Sequence, residues 1–250
     1  MKSPSPSRAP VIPAPVQRFA LAESRPEPWK NGRGVTRTLL THASASGHAP
    51  GELPNWSWRI SVAELQENGP FSVFEDVDRT LILLSGGALI LNRPNGPTVL
   101  DRPGAQVSFR GEECIQATIT PAPAQALNVM TRRGSVRSTV HLIGEQPTAM
   151  PEPQLSVQRH PADNGPPLTT VAFVGAGRYR IQLYKKSGLV ETMILQAHEG
   201  ARIDRTVYPT MQVQLISVLN VPPHSGTAPS PWMILTTLEL VGDSLVPFPP

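Results

Sequence analysis

The chain has 250 residues, of which 29 are proline and 19 glycine; proline removes a backbone donor and fixes φ, so this frequency excludes a protein built mainly of long helices. Lys+Arg number 22 and Asp+Glu 19, a net charge of +3, and without a basic run or stripe nucleic acid is not indicated as a partner. The single cysteine, Cys114, excludes an intramolecular disulfide and a multi-cysteine zinc site, and no stretch approaches the roughly 20 apolar residues of a membrane span.

Residues 1–16 are proline, serine and alanine with little to bury, and are predicted to form a disordered or polyproline-like tail. Their basic start is not followed by a continuous apolar segment, because Pro10, Pro13 and Pro15 interrupt it. They do not read as a secretory signal, and a soluble cytoplasmic protein is expected. From Arg18 onward, short apolar or alternating runs are separated by turn signals. They fall at 35–40, 56–63, 80–84, 88–91, 105–109, 115–120 and 126–130, then at 136–143, 169–174, 179–184, 189–195, 211–219 and 232–241. Most have strand length and are rich in Val, Ile and Leu. Asn-Gly, a strong two-residue turn signal, starts at 31, 68, 95 and 164, and residues 89–100 read as a hairpin. Many short strands at near-regular spacing predict an all-β sandwich or barrel. Thirteen runs exceed one small barrel, so two barrel-like halves are expected, at 17–145 and 146–250, with the Pro-rich stretch 145–153 as the seam.

Four clusters carry polar chemistry. In Pro28-Trp29-Lys30-Asn31-Gly32-Arg33-Gly34, glycines let backbone donors approach a ligand, Lys30 supplies a charge, and Asn31 supplies donor and acceptor. The competing reading is a solvated turn with Trp29 capping the core. In residues 56–63, alternation puts Trp56, Trp58, Ile60 and Val62 on one strand face, with Ser57, Arg59, Ser61 and Ala63 on the other. If the polar face points into a barrel, Arg59 is suited to bidentate carboxylate recognition; otherwise it is an outward arginine. Residues 68–79 form a turn, an aromatic anchor and an acidic loop ending in Asp78 and Arg79, which could equally be a surface pair. Finally, Glu112 follows the run 105–109, and alternation in 126–134 puts Asn128, Met130 and Arg132 on one face. With Glu112 alongside, these would make a polar pocket floor.

The six histidines (42, 48, 141, 160, 198 and 224) include no His-x-His pair, and no bound metal or cofactor is expected. Only His141 falls within a predicted strand, where a core or surface role is expected. Cys114 follows Glu112 and Glu113 with no histidine near it in sequence, and reads as a small buried hydrophobe rather than a nucleophile.

In this order the four clusters resemble the HutD/Ves family. Its hallmarks are a Pro-Trp-Lys-Asn-Gly turn, a Trp-Arg-Ile-Ser strand, a Gly-Pro-Phe-Ser turn followed by Asp-Arg, and an Asn-x-Met-x-Arg-Arg-Gly segment. All stand here between Pro28 and Gly134. The resemblance implies a bicupin fold, association with histidine utilisation, a metal-free small-molecule pocket, and a regulator rather than an enzyme. The chain departs from the pattern at Arg33, where the family usually has glycine, at Thr38, where it has an acidic residue, and at Ala126, where it commonly has aspartate.

The expected function is recognition of a small carboxylate-bearing metabolite, with urocanate or formylglutamate as the candidates the resemblance implies. Lys30 and Arg59 would pair with carboxylate oxygens, Asn31 and Asn128 would fix orientation, and Trp29 would form an apolar wall. Arg79, Glu112 and Arg132 would support them. The alternative is a metal-independent isomerase or epimerase with Glu112 as base and Lys30 as electrophilic partner; a third reading is a scaffold whose tail docks a protein. A monomer or homodimer is expected.

Overall fold

The computed structural model describes residues 14–29, 32–43, 56–144, 154–158, 168–216 and 230–241. Most of the expected tail (1–13) and the expected seam (145–153) lie outside these residues. The described chain is all-β apart from one 3-10 turn at Leu21–Glu23, and no helix among the described residues is long and apolar enough to cross a membrane. The strands run β1 (Val16–Ala20), β2 (Pro26–Pro28), β3 (Gly34–Ala43), β4 (Trp56–Leu65), β5 (Gly69–Pro70) and β6 (Val77–Arg93). They continue as β7 (Gly96–Leu100), β8 (Gln106–Arg110), β9 (Gln116–Arg132), β10 (Val136–Gly144), β11 (Gln154–Gln158) and β12 (Leu168–Ala176). The last are β13 (Arg178–Lys185), β14 (Gly188–Gln196), β15 (Glu199–Asp204), β16 (Thr210–Leu215) and β17 (Trp232–Leu240).

The first half is one eight-stranded sheet in the order β2-β3-β4-β9-β6-β7, with β5 paired to β9 and β8 to β6. The second half is two facing sheets, β1-β15-β12-β17-β10 and β11-β16-β13-β14. Two strand pairs expected from the sequence merge: 80–84 with 88–91 into β6, and 115–120 with 126–130 into β9. Both long strands bend where their pairing slips, between Leu83 and Ser85 and between Gly86 and Ala88. Gly86 has φ +98°, and a side chain there would strike the Pro123 carbonyl; one on Gly87 would strike the Pro121 backbone. The glycine pair lets two strands cross closely enough to bend together. The hairpin expected at 89–100 forms, with Arg93 opposite Gly96.

Sheet membership does not follow the expected boundary at 145. β1 pairs with β15, and β10 pairs with β17 from Val136 opposite Leu240 to Gly144 opposite Trp232. Both come from the first 145 residues and flank the second half's sheet on either side of β15-β12-β17, covering edges that would otherwise expose unpaired backbone. The end of the expected tail is anchored too: the Ala14 carbonyl accepts from Arg202 Nη2 at 2.8 Å, and the Pro15 carbonyl from the Asp204 backbone N–H at 2.8 Å.

Three cores follow from this layering. Leu81, Leu83, Leu89, Leu91 and Leu100 fill the inside of the first sheet. Tyr179, Ile181, Leu183, Met193, Met211 and Met233 fill the space between the two sheets of the second half. A third cluster joins the halves: Trp58, Ile60 and Val62 of β4 meet Val171, Phe173 and Ile234 of β12 and β17. β12 is therefore buried on both faces, which is why it reads as a continuous apolar run instead of an alternation.

Candidate functional site

β4 has to present its apolar face to β12 and β17, so its polar face is turned into the first half. Arg59, Ser61 and Ala63 line a cavity of about 420 Å³ there. The alternation breaks at one point: Trp56 clusters with Val77 and Met130 instead of with Trp58, because the β3–β4 pairing shifts between His42 and Ala43. Ser57 is buried, with its hydroxyl 2.7 Å from His42 Nδ1.

Strand register assembles the cavity wall. Met130 of β9 lies between Arg59 of β4 and Arg79 of β6, and Asn128 lies between Ser61 and Leu81. Directly opposed residues project to the same side of a sheet, so both arginines flank Met130 on the inner face. Arg79 is 7% exposed. Its Nη2 donates to Asn128 Oδ1 at 2.7 Å and its Nη1 to the Ser72 carbonyl at 3.3 Å. The guanidinium carbon lies 4.9, 5.3 and 5.6 Å from the ring centres of Phe109, Phe71 and Phe74, a cage that suits a cation's attraction to aromatic faces. Burial, with a smaller push from Arg59, lowers the Arg79 pKa to about 10, which still leaves it charged at neutral pH.

Arg59 donates from Nη2 to Thr38 Oγ1 at 2.8 Å, and burial lowers its pKa as well. The Nε groups of Arg59 and Arg79 are buried without a hydrogen-bond partner. Among the described residues neither arginine has a carboxylate within ion-pair distance. Because Arg79 occupies Asn128 Oδ1, the amide Nδ2 group is left as a donor on the cavity side. Trp29 closes one wall. Its Nε1 donates to Thr36 Oγ1 at 2.8 Å, and its ring packs on Gly34, where a Cβ would come within 3.0 Å of ring carbons.

Four of the expected site residues, Trp29, Arg59, Arg79 and Asn128, therefore meet in one cavity. Lys30 and Asn31 lie outside the described residues. Cys114, expected to be buried, is exposed in the loop after β8, and Glu112 near it is not part of the pocket floor. Its carboxylate takes Arg133 through two contacts of 3.0 Å and the Asp76 backbone N–H at 2.8 Å. The Arg133 hydrogen bonds hold its pKa down to about 2. Arg132 pairs in register with Val77, beyond Met130, and does not line the cavity. The floor that alternation assigned to Asn128 and Arg132 beside Glu112 is instead Asn128 with Arg79, because Arg133 captures Glu112 where β9 ends. Glu27, Thr36, Phe71 and Phe74 also line the cavity; the aromatic anchor within 68–79 had pointed to the two phenylalanines, whereas Glu27 and Thr36 are placed by strand pairing.

The three departures noted in the sequence fall differently. Arg33 donates to the Asn68 carbonyl at 3.2 Å and packs on Gly69, joining two turns outside the cavity. Ala126 is fully buried in the first core. Thr38 alone touches the site, presenting a hydroxyl to Arg59 where a carboxylate would neutralise it. A wider groove of about 860 Å³ lies between β6, β8 and β10; there Arg93 pairs with Glu113 at 2.9 Å and Arg137 with Glu239 at 3.2 Å, while Arg79 and Arg110 also line it.

The comparison that decides the lineage is a match of the HutD family model to residues 21–215. This chain belongs to the HutD family. Protein Ves of Citrobacter koseri is 31% identical over 115 residues, 46% of this chain and 56% of that protein; Protein Ves of Cronobacter sakazakii is 30% identical over 115 residues, 46% of this chain and 59% of that protein. The chain thus aligns with a little over half the length of these relatives. HutD from Pseudomonas fluorescens SBW25 superposes with a TM-score of 0.64 at 16% identity, covering 91% of this chain and 100% of that one. A conserved protein of unknown function from Pseudomonas aeruginosa PAO1 gives 0.67 at 18%, with the same coverage. Oxalate decarboxylase from Lactobacillus farciminis gives 0.52 at 9%, over 89% of this chain and 85% of that one. The shared fold is the two-barrel cupin architecture. No group of three or more His, Cys, Asp or Glu side chains gathers among the described residues of this HutD-family chain. Two guanidinium groups, an amide and hydroxyls also make a poor donor set for a divalent cation.

Proposed function

We propose that this HutD-family protein binds a small carboxylate-bearing metabolite in the first-half cavity and acts as a binding or regulatory protein. One observation carries the reading: two arginines share a cavity with no carboxylate at ion-pair distance, and the Nε group of each is buried without a partner. Buried charges are normally paired, so a cavity of this kind is completed by an anion. Arg59 offers its guanidinium edge, Asn128 its amide N–H, and Trp29 with Met130 an apolar wall. Arg79 supplies charge and holds Asn128 in orientation. The family's association with histidine utilisation makes urocanate and formylglutamate the first metabolites to try. The isomerase or epimerase reading loses support, because its intended base, Glu112, is committed to Arg133 outside the cavity.

A charge-assisted contact contributes about 1.5–3 kcal/mol, so Arg59→Ala is expected to weaken carboxylate binding by about tenfold or more. Isothermal titration of acetate, urocanate and formylglutamate into the folded variant and the parent tests this. Equal affinities in the two proteins would sink the assignment.

A further inference from the structure

The cavity carries one negative group as well, and its position has a consequence for the ligand. Glu27 is the single carboxylate among the lining residues. It sits on β2, opposite Thr36 of β3, and opposed residues project to the same side of a sheet. Thr36 itself faces the cavity, where it holds the Trp29 indole. Glu27 is exposed and makes no ion pair or hydrogen bond with any described residue. The strand order β2-β3-β4-β9-β6 puts it at one rim, two strands from Arg59 and three from Asn128. With neighbouring strands about 4.8 Å apart, β2 and β4 are separated by about 10 Å of sheet. The site is therefore polarised, with donors deep inside and one acceptor at the rim.

Resting on the reading of this cavity as a carboxylate site, we infer that its ligand is a monocarboxylate with a cationic or N–H-bearing group at its other end. The carboxylate lies between Arg59 and Asn128, and the far group meets Glu27. A cavity of about 420 Å³ holds considerably more than a carboxylate alone. A second carboxylate at the far end, as in formylglutamate, would meet Glu27 as a like charge, and the cation that feels Glu27, Arg59, is already engaged by the first carboxylate. A wholly apolar far end would leave Glu27 without a partner. The rim contact is solvent-accessible, so its effect is that of a screened pair: selectivity rather than the bulk of the affinity.

Matched aliphatic probes test the inference on the full-length protein. ω-Amino carboxylates of three to six carbons are titrated calorimetrically beside unsubstituted monocarboxylates and α,ω-dicarboxylates of the same lengths. At the best length the amino acid is expected to bind about threefold to fivefold more tightly than the unsubstituted acid, with the dicarboxylate weakest. Glu27→Gln is expected to remove that order while Arg59→Gln weakens all three. A dicarboxylate that binds as well as or better than the amino acid would overturn the inference, as would an order unchanged in Glu27→Gln. In either case binding that still depends on Arg59 leaves the carboxylate site standing. If none of the probes binds, or if binding ignores Arg59→Gln, the carboxylate site itself fails and the inference goes with it.

Discussion

β4 and β13 carry the same kind of alternation and use it in opposite senses. In β13, Tyr179, Ile181 and Leu183 point into the core between two sheets, and Arg178, Arg180 and Gln182 point outward. In β4, Trp58, Ile60 and Val62 point away from their own barrel toward the second half, and Arg59 and Ser61 point inward. The difference comes from what lies behind each sheet. β13 is backed by solvent, so its polar face goes out. β4 is backed by the buried face of β12 and β17, so its apolar face is used there and its polar face is left for the interior. A docking surface between the halves thus accounts for a polar, arginine-lined cavity beside the leucine core of one half, where the space between the sheets of the other is filled by apolar side chains.

Truncation should separate the two interiors most strongly. Leu183→Ala, in the solid half, is expected to cost about 2–5 kcal/mol in urea unfolding. Arg59→Met, in the half with the cavity, is expected to leave stability unchanged or higher, because it removes a desolvated charge whose nearest carboxylate in the cavity, Glu27, lies beyond ion-pair distance. Equal losses would break the comparison. Next in size, Asn128→Asp would give Arg79 an internal counter-ion. Melting temperature is expected to rise while acetate affinity falls by about tenfold or more, measured by scanning calorimetry and titration on one sample. Thr38→Glu sharpens the point from the neighbouring strand: a carboxylate against Arg59 is expected to weaken acetate binding about threefold to tenfold.

The smallest effect belongs to Glu112→Gln, which lies outside the cavity. Anion affinity is expected to be unchanged and the melting temperature to drop by no more than about 2–4 °C near neutral pH. The folded-state pKa of Glu112 is depressed to about 2 from an ordinary 4.5, so the carboxylate's contribution is complete above pH 4.5 and disappears as pH falls toward 2. Melting curves from pH 7 down to 2 should therefore converge for the two proteins. A gap that persists at low pH would assign Glu112 another role.

Much of the site was legible because period-two spacing needs no knowledge of partners. Arg59 and Ser61 separate from Ile60 and Val62 on spacing alone, and Asn128 separates from Val129 in the same way. Which face becomes the interior was not legible, since it depends on a second sheet contributed by residues more than 100 positions away. Register was equally hidden. Arg79 reads as half of a surface pair with Asp78 until β6 pairs with β9 and sets it beside Met130. Glu27 acquires a role only when β2 is laid against β3. The proline, serine and alanine before residue 17 made residues 14–16 look like tail, yet the Ala14 and Pro15 carbonyls are taken up by Arg202 and Asp204 of β15, and Val16 pairs with Ile203. Composition reports what a segment can bury, not which edge it can cover.

Soaking crystals with 4-bromobenzoate tests the central claim most directly, because its aryl bromine is not displaced by thiols and locates the bound carboxylate by anomalous scattering. The expected result is a peak in the first-half cavity with the carboxylate between Arg59 and Asn128, and none among Tyr179, Met193 and Met211. A cavity holding only water at saturating 4-bromobenzoate, or a carboxylate bound in the groove between β6 and β10 instead, would contradict it.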